Sequence, residues 1–339
     1  MVAAKCQLYG IKPFARQTVF DIEFLPYEIR DGFCQIQLQV TRREGFDHYT
    51  IDWGDGTIKE QNDYKAFHNY TKPGIYTVRI GPEVRWWRLD SCYTVEADNT
   101  VLISRPKIIP KCWSDYQESC EGTYCGWSNS DHGGVVGGVI EWGRSIWKTF
   151  CCYQFCFDIT GGFAPWTDMI TDATGTYDRC TALSGRIPTW GRYIESVAQC
   201  FCDCPGVRGK FPKWPLGCWR FNSCFKNATG MYGDIPAWPS AAKELNSVYE
   251  NCIKATGIIP AWPEGITDVS QCYMGCSGLT GAWTDDPKLL MPEEKLKASE
   301  TADWYRCFDV VTGCADSVRS LFWDKDWGGL IPRPENGGV

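Results

Sequence analysis

Cysteine is the residue in clear excess, with twenty in 339 residues. A cysteine can ligate zinc, close a disulfide or act as a nucleophile. The densest group, Cys200-Phe-Cys202-Asp-Cys204, raises zinc first. A structural zinc site pairs C-x2–4-C knuckles at a set distance. Here every cysteine of the group except Cys202 is explained by a repeat phase described below. Histidine is scarce: His48, His68 and His132 are a thin supply for acid–base chemistry near neutral pH. The carboxylate pair Asp285-Asp286 has nothing to fix the separation of about 5–9 Å that glycoside hydrolysis requires. No G-x-S-x-G, P-loop, H-E-x-x-H or dinucleotide fingerprint occurs. The expectation is a protein with no catalytic residues, no cofactor and no resident metal.

Apolar residues make up 44% of the chain and charged residues 22%, enough for packed cores and against wholesale disorder. Net charge is −7 with no basic run, which disfavours nucleic acid as a partner. Lys5, Gln7, Lys12, Pro13 and Arg16 interrupt the first twenty residues, so a secretory signal is not expected. No apolar run approaches the roughly 20 residues of a membrane span. The chain is therefore expected to begin in the cytosol, without membrane insertion.

The second half repeats with a period of 24. Aromatic residues recur at Tyr153, Tyr177, Phe201, Phe225, Tyr249 and Tyr273. Glycine recurs at 161, 185, 209, 233, 257 and 281, about a one-in-a-million coincidence given 34 glycines in the chain. A degraded copy lies upstream, with Gly137, Val139 and Trp142 in phase, and Gly329 to Pro332 echoes the motif late. Within a unit, Ile194, Val197, Phe201 and Cys204 follow 3-4-3 spacing, which predicts a short helix. Val207, Gly209 and Phe211 alternate, which predicts a short strand ended by Pro212. One such unit cannot bury its apolar face, but stacked copies can.

Nine cysteines fall on two phases of this repeat. Cys156, Cys180, Cys204, Cys252 and Cys276 form a structural ladder, and Cys152, Cys200, Cys224 and Cys272 a second. The leading expectation is small buried side chains stacked coil on coil. Disulfides among Cys112, Cys120, Cys125, Cys151, Cys202, Cys218, Cys307 and Cys314 remain an alternative, as does zinc. A tryptophan ladder accompanies them at Trp142, Trp166, Trp190, Trp214, Trp238 and Trp262. It reads either as a packed spine or as an exposed strip for binding a glycan or a protein partner.

The repeats resemble BspA-like leucine-rich repeats of bacterial and phage surface proteins. The resemblance rests on Val269-Ser-Gln-Cys-Tyr-Met-Gly-Cys-Ser-Gly-Leu-Thr-Gly281 and on Val248-Tyr-Glu-Asn-Cys252 with Gly257-Ile-Ile-Pro260, and it covers about residues 128–285. The chain departs from the family in its Trp-Pro endings, Trp214-Pro215, Trp238-Pro239 and Trp262-Pro263. In the first half, Cys34 to Val40 alternates like a half-buried strand, and Val78 and Ile80 alternate with polar residues. Asp52-Trp-Gly-Asp-Gly-Thr57, His68-Asn-Tyr70 and Pro73-Gly-Ile-Tyr-Thr-Val78 then resemble a polycystic-kidney-disease (PKD) domain, an immunoglobulin-like β-sandwich. That family implies spacing, docking or weak binding without catalysis. Asp52 and Asp55 read as turn caps or as calcium contacts, and His68 as a structural histidine.

The resulting fold class is mixed β and α/β, a PKD-like β-sandwich followed by a leucine-rich-repeat-type solenoid and a cap. The expected divisions are an N-terminal arm (1–13), the sandwich (14–82), a connector carrying Trp86-Trp87 (83–118), the solenoid (119–285), and an inserted helix at Met291 to Ala298 within a C-terminal cap (286–339). Two display modules without an export signal lead to the expected function. It is a non-enzymatic structural or adhesive virion component of a bacteriophage, assembled in the host cytoplasm and placed on the virion surface as head fibre, capsid decoration or tail fibre. Expected partners are other virion proteins or a host-surface protein or glycan, with a symmetric homo-oligomer or assembly-bound state. The alternative is a secreted adhesin on a bacterial cell surface.

Overall fold

A computed structural model describes residues 16–29, 32–95, 101–103, 106–126 and 134–282. The expected arm, the inserted helix with its cap, and the late echo at Gly329 to Pro332 lie outside the described residues. The described chain is β-rich; its one helical element is a single 3-10 turn, Pro26–Glu28. It divides into two compact units, 1–170 and 171–339.

The first unit begins with nine strands: β1 (Thr18–Phe24), β2 (Cys34–Arg42), β3 (Tyr49–Asp52), β4 (Ile58–Gln61), β5 (Lys65–Tyr70), β6 (Gly74–Ile80), β7 (Val84–Val95), β8 (Val101–Ile103) and β9 (Lys107–Cys112). They form two sheets, in the orders β4-β3-β6-β1-β9 and β5-β2-β7-β8. Every pairing within these sheets is antiparallel. The alternation in β2 and β5 sends Ile36, Leu38, Ala66, His68 and Tyr70 inward. Between the sheets Phe20 stacks on Trp87 at 5.0 Å, and Phe24 meets Tyr70 at 4.7 Å.

This corrects the boundary at residue 82. Much of the span expected to be a connector forms β7, β8 and β9, and β7 pairs with β2 from Gln35 to Arg42. Adjacent residues of a strand face opposite ways. Trp87 is thus in the core and Trp86 on the outer face.

The unit continues with coils. Residues Ser119 and Lys148 bridge in parallel, as do Ile108 and Val135. Strand β10 (Gly137–Gly138) pairs in parallel with β11 (Ile159–Thr160). Tyr124 stacks on Tyr153 at 5.4 Å and Trp113 on Trp142 at 6.3 Å. These partners are 29 residues apart, so this first coil escapes a search for a 24-residue period.

The second unit stacks five strands in parallel: β12 (Gly185–Arg186), β13 (Val207–Lys210), β14 (Met231–Asp234), β15 (Ala255–Ile259) and β16 (Leu279–Ala282). On another side of each coil, Asp172, Ser196, Arg220, Glu244 and Asp268 bridge in turn at intervals of 24. Gly209 shows why the strands keep glycine. Its φ is +110°, and a Cβ there would meet Cγ of Arg186 at 3.3 Å.

The predicted short helix is not formed; the segment is a run of turns. The amides of Val197, Gln199, Phe201 and Asp203 donate to carbonyls of Arg220, Asn222, Cys224 and Lys226 in the next coil. The intervening amides of Cys200 and Cys202 donate locally, to Val197 and Gln199. An α-helix would use all of them internally. Two left-handed residues per coil make the alternation possible, at 199, 223, 247 and 271 and at 203, 227 and 251. Asn227, Asn251 and Asp203 belong to the types that tolerate this region best.

Candidate functional site

The structure places the tryptophan ladder inside. Trp142, Trp166, Trp190, Trp214 and Trp238 are 6–9% exposed, and Trp262 is half-buried. In the first unit Trp142 stacks on Trp166 at 6.0 Å. In the second, Trp190, Trp214 and Trp238 stack at 6.1 and 5.9 Å. Each also leans on the aromatic residue 11 positions ahead: Trp190 on Phe201, Trp214 on Phe225, Trp238 on Tyr249, Trp262 on Tyr273. The indole of Trp238 donates to Tyr273 Oη at 3.2 Å. The ladder is a packed spine, and the exposed-strip expectation is corrected for these five rings. Stacking covers Trp142 and Trp214 on both faces, by Trp113 with Trp166 and by Trp190 with Trp238.

The cysteine ladder is buried as well. Cys156, Cys180, Cys204, Cys252 and Cys276 have no exposed surface. Four of these thiols bind main chain in the preceding coil. Cys204 donates to the Tyr177 carbonyl at 2.9 Å, Cys252 to Phe225 at 3.1 Å and Cys276 to Tyr249 at 3.0 Å. Cys156 does the same to Tyr124 at 3.3 Å. The Tyr177 carbonyl also takes the amide of Cys180, so one oxygen closes a turn and ties down the next coil. Burial pushes the Cys204 thiol up to about 12, and raises Cys156, Cys200 and Cys224 well above the usual range. Such thiols stay protonated and inert. Sixteen cysteines, including Cys112, Cys120, Cys125, Cys151, Cys202 and Cys218, are thiols outside any disulfide, so none joins those six. Cys307 and Cys314 lie outside the described residues.

The group that raised zinc does not converge. Cys200 faces Thr176, Cys204 faces the Tyr177 carbonyl, and Cys202 faces Asp178. Ligand atoms of Asp178, Cys202 and Asp203 do lie within 4.8 Å of one another. Asp203 is engaged by Arg179 at 3.2 Å and by Asn227. Burial, then the charges of Asp178 and Asp203, hold the proton on Cys202.

In the first unit, both aspartates of the Asp52-Trp-Gly-Asp55 segment cap turns. Asp52 accepts from the Gly54 amide and Asp55 from the Thr57 amide, each at 2.9 Å. Their other oxygens take Arg79 at 3.2 Å and His68 at 2.7 Å. His68 is 6% exposed and stacks on Trp53 at 4.9 Å. Burial draws its pKa down against the pull of Asp55. His132, Asp285 and Asp286 lie outside the described residues.

The sequence reading missed a groove on the outer face of β2 and β7. In register there, Thr41 lies opposite Trp86 and Gln39 opposite Arg88. Tyr64 stacks on Trp86 at 6.4 Å and donates to Gln39 Oε1 at 2.7 Å. A coil supplies the facing wall: Glu118, Ser119, Glu121, Trp147 and Lys148. The amides of Glu118 and Ser119 both bond the Arg85 carbonyl, and the Trp86 indole donates to the Glu121 carbonyl at 2.8 Å. The cavity measures about 480 Å3 and adjoins a second of about 420 Å3, with Thr41, Tyr64 and Arg85 common to both. The available signal was the Trp86-Trp87 pair, one ring of which must face outward in a strand.

Comparison with family models, with curated proteins and with solved structures returns no match. Among the described residues no helix is long and apolar enough to cross a membrane.

Proposed function

We propose that the chain is a non-enzymatic structural component on the surface of a bacteriophage particle. In this reading a PKD-like sandwich docks to other particle proteins, and a leucine-rich-repeat-type solenoid is displayed toward a host surface. The observation that carries it is the thiol ladder. Coils are joined through protonated cysteines bonded to main-chain carbonyls, and sixteen cysteines are thiols outside any disulfide. A fold built this way suits a reducing cytosol, where particles assemble before lysis, better than an oxidising export route. The absence of catalysis in this reading is supported by how the reactive groups are held. His68 is locked against Asp55 and Trp53, and buried thiols such as Cys204 and Cys224 keep their protons.

The test is peptide mass spectrometry on density-purified particles and on washed host envelope, with intact mass measured after alkylation under denaturing conditions. Abundant peptides in the particle and sixteen or more alkylated cysteines are expected. Peptides confined to the envelope, on a chain with oxidised cysteines, would replace this reading with that of a secreted adhesin.

A further inference from the structure

We propose that the groove between the outer face of β2–β7 and the facing coil in the first unit binds a carboxylate-bearing saccharide. This goes beyond the particle reading and stands on the groove alone.

The walls are aromatic where a sugar ring needs them. Tyr64 is 53% exposed and Trp147 45%, and Trp86 lies half-buried beneath Tyr64. Flat, partly uncovered rings with a few placed polar groups are the usual lining of a small-ligand site. Thr41, Ser119 and Glu118 stand around the rings as partners for hydroxyl groups.

The charges choose the ligand. The cavity is lined by Arg85, Arg88 and Lys148 against Glu118 and Glu121. Lys148 is neutralised by Glu121 at 2.8 Å. Arg88 has a charge partner in Asp90 at 3.9 Å, but its Nε is buried and lacks a hydrogen-bond partner among the described residues. Arg85 is exposed, and its main chain is pinned by the amides of Glu118 and Ser119. Arg85, exposed on the cavity lining and without a charge partner among the described residues, is the guanidinium placed to take a single carboxylate through two parallel bonds, with Arg88 on the same lining. A polyphosphate backbone is disfavoured, because it would extend past Glu44 and Asp63 of the adjoining cavity, which would repel it. The site is also pre-formed. The strand register sets the floor and main-chain bonds set the wall, so little ordering remains for the ligand to impose.

The probe is a galacturonic acid trisaccharide, titrated into the full chain with indole fluorescence and saturation-transfer NMR as readouts. A neutral galactose trisaccharide serves as the comparison. We expect saturable binding of the acidic probe and at least tenfold weaker binding of the neutral one. Arg85→Gln and Tyr64→Ala should each weaken binding tenfold or more with an unchanged melting midpoint, and Arg88→Gln repeats the test from the other guanidinium. Lys210→Gln, on a strand of the second unit, should bind like the unaltered chain. Equal binding of the neutral sugar overturns the carboxylate assignment. Unchanged binding in all three groove variants overturns the location. The saccharide assignment falls if galacturonate, glucuronate and sialyllactose all fail to saturate, or if an acidic hexapeptide displaces the probe at lower concentration. None of these results bears on whether the chain is found in particles.

Discussion

The paired sheets of the first unit and the coils of the second both bury aromatic rings, but they assemble them by different rules. Between the sheets, Phe20–Trp87, Phe24–Tyr70 and Trp53–His68 each join strands distant in sequence or differently oriented, and no contact repeats another. In the coils, Tyr177, Phe201, Phe225, Tyr249 and Tyr273 make one contact four times, at 5.6, 6.0, 6.0 and 5.7 Å. A core of unique, non-local contacts stands or falls together. A stack of nearest-neighbour contacts lets each coil depend chiefly on the coils beside it.

The largest expected effect tests that contrast directly. Trp87→Ala and Phe225→Ala each remove a fully buried ring, worth about 3–5 kcal/mol. Hydrogen exchange should show protection lost across both sheets for the first. For the second, loss should centre on the coils around residues 201–249 and fade with distance. Uniform loss throughout the second unit would show that the coils are as cooperative as the sheets.

The next test uses pH. In the coils the folded thiols have raised pKa values, so the folded state keeps protons that the unfolded chain releases. Their stabilisation is complete below the unfolded thiol value and is lost as pH rises toward the folded one. The urea midpoint of the second unit should fall steadily from pH 8.5 to pH 11, with each unit followed by hydrogen exchange. A flat profile would mean that the thiols titrate freely.

The sheets should respond in the opposite direction, and less. His68 has a lowered folded pKa, so protonation favours the unfolded chain. Its contribution declines as pH falls below the unfolded histidine value of about 6.5. His68→Gln should flatten the stability of the first unit between pH 6.5 and 5. An unchanged slope would assign the acid sensitivity to other groups.

The smallest effect belongs to the polar rim of the coils. Arg220 meets Glu244 at 3.0 Å and Arg179 meets Asp203 at 3.2 Å, with both arginines largely in solvent. Exposed pairs contribute about 0–1 kcal/mol. Arg220→Ala should therefore move the melting midpoint by no more than a degree or two. A large drop would reveal a structural role for Asn222, which shares the Glu244 carboxylate at 2.8 Å.

Much of this molecule could be read in its sequence, though unevenly. The 24-residue spacing identified which residues point inward, and residues 201, 204 and 207 are all buried. The Asp-Trp-Gly-Asp turn and the alternation of Cys34 to Val40 marked strands that exist. The 29-residue first coil was illegible because its spacing breaks the period. Strands β7 to β9 were missed because Arg85-Trp-Trp-Arg88 and Lys107 to Cys112 lack clean alternation on their own. The groove was hidden for the same reason, since a surface cannot be read from a span that is not recognised as a strand.

The sequence alone determined the repeat, its inward residues, and the positions where glycine is required. It did not distinguish a helical turn from the turns that form, because 3-4-3 spacing puts the same residues inward in both. Only the tertiary structure decided that, by supplying a neighbouring coil whose carbonyls take every second amide. The same neighbours cover the tryptophan faces and receive the cysteine thiols. Burial and hydrogen-bond partnership are properties of what lies alongside a segment, and here that is set by the chain one coil away.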